Sequence, residues 1–302
     1  MDKSKRMLSV AAAVLLVVTL AAGSVQTAAG AEAGARPDAK ETPAACAAAY
    51  AKALAGEKAF AEWKNAELKV EPLGPGTHGW LATVVKRGKA VGYLVISAEA
   101  NGGYRLTEYG TGPYPLFGGA ALQAAAPRYG FDARSAARRY AGPMLAAWRV
   151  GTKGGETIYL HAVTGERIET LSDDVWERAA SALKPKSGGS AEPPAKPLLP
   201  AAAAGVAATV LRPEFDPYAR MPWLTGKPLA AQEYGQALKA HLTANRELRL
   251  VSEPLGPNAY LSVHAVAGYQ EWKDGSVMLA LHEEGLRLIP LDEVVRHGRL
   301  YG

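Results

Sequence analysis

Apolar residues recur every fourth position in two stretches of the chain, and several others are rich in Val, Ile, Tyr and Thr. Cys46, Tyr50 and Leu54 lie four apart behind Thr42 and Pro43, which predicts a helix capped by Thr42 with proline in its first turn. Residues 79–85, 92–98 and 104–109 are rich in Val, Ile, Tyr and Thr, and Arg87-Gly88 and Asn101-Gly102 stand between them as turns. They read as an antiparallel meander. A second helix is expected over residues 133–148, kinked or broken by Pro143, and then a hairpin of 157–162 with 167–170 about Thr164-Gly165-Glu166. Further on, Tyr234, Leu238 and Leu242 mark a helix within 230–244, followed by strands at 260–267, 277–281 and 286–289. Asp274-Gly275 and Glu284-Gly285 turn the corners between those strands, and a short helix over 291–297 stops at Gly298. Strands grouped antiparallel beside helices, without regular βαβ alternation, predict an α+β fold.

Two breaks in composition divide the chain. Lys3, Lys5 and Arg6 precede an uncharged apolar run, Met7 to Ala22, that ends in small residues through Ala29-Gly30-Ala31. That is the order of a signal peptide, so residues 1–31 are expected to be removed and the mature protein secreted. The run is shorter than the roughly 20 residues that span a bilayer, so membrane attachment is expected only if the segment stays uncleaved. The second break, 179–208, carries Lys-Pro, Gly-Gly-Ser, Pro-Pro and a four-alanine run, and reads as a linker. Two small domains, 42–178 and 209–302, are therefore expected, which suits 302 residues at roughly 150 per domain.

Charge and cysteine content narrow the function. Removing residues 1–31 takes away three positive charges and one negative, so the formal charge falls from +5 to +3 and no nucleic-acid partner is expected. The single cysteine, Cys46, cannot form an internal disulfide or a Cys-x-x-Cys metal knuckle. It falls on the apolar face of the first predicted helix, where an inert core thiol is expected. An exported chain with one thiol and no disulfide suits a Gram-positive cell.

The six histidines show no metal-ligand spacing: His282-Glu283-Glu284 opens like HExxH, but Leu286 stands where the second histidine belongs. There is no GxSxG elbow and no P-loop. Gly74-Pro-Gly-Thr-His-Gly79 matches GxGxxG yet leads into a predicted strand rather than a helix, so no cofactor and no metal are expected. The same stretch could present His78 and Trp80 to a ligand. Asp173-Asp174 reads as the start of a helix carrying Trp176. His264 is the leading candidate for a functional side chain, because it shares a semi-polar strand face with Tyr260, Ser262 and Val266.

Val91-Gly-Tyr-Leu-Val-Ile-Ser-Ala98, Tyr104-Arg-Leu-Thr-Glu-Tyr109 and Gly112-Pro-Tyr-Pro-Leu-Phe117 together resemble the pro-region of streptopain-like secreted cysteine peptidases. Tyr159-Leu-His-Ala-Val-Thr-Gly-Glu-Arg-Ile168 is similar to the closing hairpin of PepSY domains. The first likeness implies an inhibitory or chaperoning domain, the second a small α+β module of the kind found in peptidase propeptides and secreted bacterial proteins. The strand His264-Ala-Val-Ala-Gly-Tyr269, with the final strand and helix at 286–295, resembles the second half of bacteriocin-processing, papain-like cysteine peptidases. That resemblance implies a catalytic base at His264 and puts Glu283 nearest the place of the acid that orients it. No cysteine lies in this half, and without a thiolate such a site is expected to be inactive.

The expected function is therefore that of an exported, non-catalytic module, inhibitor-like or a pseudo-peptidase, that binds a peptide or a protein partner outside the cell. Tyr109, Trp80 and His78 are its candidate binding residues. Two alternatives remain open: a hydrolase centred on His264 with Ser262 or Glu283, and a cell-envelope protein held to anionic wall polymers by Lys and Arg.

Overall fold

The fold was taken from a computed structural model, which describes residues 42–99, 103–183, 205–231, 234–244, 246–257 and 259–302. The expected signal segment, most of the expected linker and the expected Asn101-Gly102 turn lie outside these residues. Thr42 caps α1 (Pro43–Leu54) by accepting from the Ala45 N–H at 3.1 Å, and the helix buries Cys46, Tyr50 and Leu54. A 3-10 turn, Lys58–Trp63, leads into four antiparallel strands, β1 (Glu67–Pro72), β2 (Gly79–Lys86), β3 (Lys89–Ala98) and β4 (Tyr104–Thr111).

The predicted helix over 133–148 is not present. The helix of this region is α2 (Gly119–Tyr129), and 133–148 forms most of a hairpin, β5 (Ala137–Gly142) with β6 (Leu145–Gly151). Leu145 and Ala147 on one face of β6 and Trp148 and Val150 on the other are all buried, in two different clusters. Burial on both faces removed the alternation that marks a strand. α2 was obscured by its Gly-Gly start and by Pro127 inside it, and it ends on Gly130 in the left-handed conformation (φ 67°). β7 (Thr157–His161) completes a three-stranded sheet, and α3 (Asp173–Leu183) covers its outer side through Trp176 and Ala179. Asp173 opens α3 as expected, held by Arg149 at 2.6 Å and by the Tyr159 hydroxyl at 2.6 Å.

The end of α3 and the start of β8 (Val206–Leu211) fall inside the expected linker, 179–208, and after β8 come α4 (Tyr234–Thr243), β9 (Arg249–Ser252), β10 (Ser262–Trp272), β11 (Val277–His282), β12 (Leu286–Pro290), α5 (Leu291–His297) and β13 (Gly298–Tyr301). The segments expected as separate domains, 42–178 and 209–302, share one sheet. Its order is β1-β2-β3-β4-β12-β11-β10-β9-β13, with β8 also paired to β10. The joint is β4 against β12, with Arg287 opposite Gly110. A Cβ on Gly110 would overlap the Leu286 carbonyl oxygen, so only glycine lets the strands close there. Glu41–Gly302 is accordingly a single compact unit of α+β class.

Both faces of the large sheet are covered. On one, Tyr50, Leu54 and Phe60 pack with residues of β2–β4 and, across the joint, with Trp272, Met278 and Leu288. On the other, α2 and the small sheet pack over β2 and β3, while α4 and α5 cover β9–β12. Among the described residues no helix is long and apolar enough to cross a membrane.

Candidate functional site

Two grooves reach the end of β7 and its turn, the first lined by Phe117 and Val163 and the second by His161 and Thr164, and the Phe117 N–H donates to the Ala162 carbonyl at 3.0 Å. The first is the larger, about 830 Å³. Trp63, Val91 and Phe117 supply apolar surface, and Pro113, Tyr114 and Pro115 lie along it with Tyr114 49% exposed. The Trp63 indole N–H donates to the Val91 carbonyl at 3.3 Å, which fixes the ring. Glu62 and Lys89 place one charge of each sign in the groove. Arg138 bridges to Glu71 at 2.7 Å and to the Pro72 carbonyl at 3.2 Å, tying the small sheet to the first strand of the large one. The first turn of α2 also lines this groove, and its cap residue, Gly118, has no side chain to bond the helix N–H groups.

The second groove, about 280 Å³, contains His264. Because β10 is regular at this point, Ser262 and His264 project from one face two residues apart, and Ser262 Oγ lies 2.7 Å from His264 Nε2. The end of β7 brings in His161, whose Nδ1 accepts from the Thr164 N–H of the following turn at 3.3 Å. An accepting Nδ1 puts the proton of the neutral ring on Nε2. That nitrogen lies 3.4 Å from Glu283 Oε1. The β11–β12 turn supplies Glu283 itself, at 2.8 Å from Arg287 Nη1.

Arg287 then reaches back to the first half of the chain. Its Nη2 lies 3.1 Å from Glu108 Oε2 and donates to the Pro143 carbonyl. Glu108 is fully buried and accepts from the hydroxyls of Tyr93 at 3.0 Å and Tyr140 at 3.2 Å. A chain of charged groups, Glu108–Arg287–Glu283, thus crosses the β4–β12 joint and ends against His161 in the groove.

Charge and burial set the protonation states. Burial pushes the Glu283 carboxyl up, but Arg287, His264 and His161 together outweigh it and hold it at about 2, so the group is ionised. Burial lowers both imidazoles below their usual value, partly offset by Glu283 and reinforced by Arg287, so both are neutral at pH 7. A neutral imidazole beside a hydroxyl can accept its proton, and an ionised carboxylate nearby favours the imidazolium that results.

The other residues singled out by sequence fall elsewhere. Tyr109 is in the core, donating to Gln270 Oε1 and accepting from Trp272 Nε1 at 3.3 Å, and it meets no solvent. Trp80 is half-buried, edge-on to Tyr104 with centroids 5.3 Å apart, and neither it nor His78 lines either groove. Cys46 is buried under α1, outside both grooves. Tyr114, His161 and Arg287 were not singled out. The Pro-Tyr-Pro run was the available signal for Tyr114, whereas pairing across the β4–β12 joint, which brings in Arg287, leaves no local trace. Among the described residues no three His, Cys, Asp or Glu side chains are arranged to hold a metal ion. Compared with family models, curated proteins and solved structures, the chain matches none.

Proposed function

We propose that this chain is exported and binds a peptide, or an extended segment of a partner protein, in the groove along Trp63, Val91, Tyr114 and Phe117. The observation that carries the reading is the groove itself, about 830 Å³, with fixed aromatic surface, a half-exposed tyrosine and both signs of charge. Sites of that size that combine apolar walls with a few convergent polar groups are the usual places for a ligand. Extended chains suit it, because apolar side chains can seat against Trp63 and Phe117 while charged ones meet Glu62 or Lys89.

Export is supported by the n-region and apolar run at 1–22. The chain is not a thiol peptidase on this reading, since its one thiol is packed in the core away from His264. The role is that of a pseudo-peptidase or inhibitor-like binding module.

Selection of a displayed library of random peptides on the full mature chain tests the proposal. Enriched peptides should bind the Tyr114→Ala variant about tenfold or more weakly, the loss expected for one well-buried aromatic side chain. The Trp80→Ala variant, altered outside the groove, should bind them unchanged. Failure to enrich any sequence, or equal binding by Tyr114→Ala, would overturn the reading.

A further inference from the structure

We propose that Ser262 and His264 form a nucleophile–base pair that hydrolyses carboxylic esters carrying a hydrophobic acyl or aromatic group. This site is the second groove, and the inference stands whether or not a peptide binds in the first.

Three observations meet there. Ser262 Oγ and His264 Nε2 are 2.7 Å apart, the separation at which a hydroxyl can pass its proton to an imidazole. Glu283 is an ionised carboxylate facing the same groove, with His161 Nε2 3.4 Å from its Oε1 and no hydrogen-bond partner on that oxygen. The imidazolium formed during attack thus has a buried anion nearby, and Glu283 serves as a positioning residue through its field. Finally, part of the rim is apolar: Tyr218 is 51% exposed, Leu261 is 44% exposed and Tyr260 lines the same groove, while Thr164, Glu166 and Arg167 are its polar part. Exposed apolar side chains grouped at one mouth are what a hydrophobic substrate needs, and about 280 Å³ admits a short chain or a single ring.

The chemistry is balanced within the pair. Ser262 Oγ bonds to the ester carbonyl carbon as its proton moves to His264 Nε2. The carbon–oxygen bond to the alcohol then breaks, and the imidazolium returns the proton to the departing oxygen. Water then attacks the acyl carbon as His264 takes its proton, the carbon–Oγ bond breaks, and the imidazolium returns the proton to Ser262 Oγ, leaving the carboxylic acid and the free hydroxyl. Neither redox partner nor metal enters.

The test uses the full mature chain with two probes. A fluorophosphonate should add to Ser262 with loss of fluoride, as located by peptide mass mapping on the unaltered protein. With p-nitrophenyl butyrate, turnover should vanish in Ser262→Ala and fall about 100-fold or more in His264→Ala, while both variants keep their melting temperatures. The rate should be level near neutral pH and fall only at pH values below the ordinary imidazole range, a profile that a structural histidine would not produce. An adduct mapped to another residue, or no adduct on the folded protein, would overturn the proposal, and mapping on the unaltered chain decides this even if a variant fails to fold.

Discussion

Replacing Arg287 by Met probes the joint between the two halves of the sheet. Arg287 is nine-tenths buried and pairs with Glu108 at 3.1 Å and Glu283 at 2.8 Å, both of which are buried as well. Methionine fills much of the same volume but leaves two buried carboxylates and the Pro143 carbonyl without their donor. Breaking a buried pair from one side costs about 3–5 kcal/mol, because an uncompensated charge remains. For a folded unit of this size each kcal/mol moves the midpoint by roughly 2–4 °C, so a loss of about 4 kcal/mol predicts a fall of about 8–16 °C. The loss should shrink on acidification, since Glu108, already pushed up by burial, would then take a proton and become neutral. The double variant Arg287→Met/Glu108→Gln should recover part of the loss. Differential scanning calorimetry from about pH 7.5 to about pH 5 reads all three results. An Arg287→Met midpoint within about 2 °C of the unaltered protein would refute the reasoning, because such a shift corresponds to no more than about 1 kcal/mol.

Three further outcomes follow from other parts of the molecule. Tyr109→Phe removes the hydroxyl shared by Gln270 and Trp272 and should cost about 1–3 kcal/mol by chemical denaturation, with an unchanged m-value. Burial holds His161 and His264 below 6.5, so the unfolded chain binds protons on them more readily; their contribution is complete above pH 6.5 and is lost as pH falls toward the folded values. The melting temperature should therefore drop on going from about pH 7.5 to about pH 5.5, and the His161→Gln/His264→Gln variant should show a shallower slope; parallel slopes would contradict this. Cys46, 3% exposed under α1, should resist maleimide in the native protein and react fully in denaturant, and rapid native labelling would place it outside the core.

Much of the fold was legible where local rules act alone. Thr42-Pro43 fixed the start of α1, Asp274-Gly275 and Glu284-Gly285 the corners of the last meander, and enrichment in Val, Ile, Tyr and Thr between turn residues the strands β2 and β3. Sequence failed where tertiary burial erased periodicity, as in β6, whose two faces are both covered. It also failed for β1, where only Leu68 and Val70 stand among Glu, Lys and Pro, and for β13, which is only four residues long. Partnership across the chain was the largest omission. A linker-like composition suggested separate domains, but the joint is made by Gly110 and Arg287, 177 positions apart, and nothing local to either announces the other. The site divides the same way. Ser262 and His264 could be placed on one strand face from their spacing of two, whereas His161 and Arg287 reach the groove only through pairing of distant strands. Tyr109 illustrates the converse: a tyrosine in a strand can face solvent or core, and only the packing of Trp272 and Gln270 around it decides.

The most direct test of peptide binding in the larger groove is amide hydrogen exchange on the full chain, with and without a peptide enriched from the random library. The account predicts added protection at the start of β3, at the end of β4 through Tyr114, and in the first turn of α2, with little change around β10 and the β11–β12 turn. Protection confined to β10 and the β11–β12 turn, or spread over the sheet edge away from Tyr114, would contradict it.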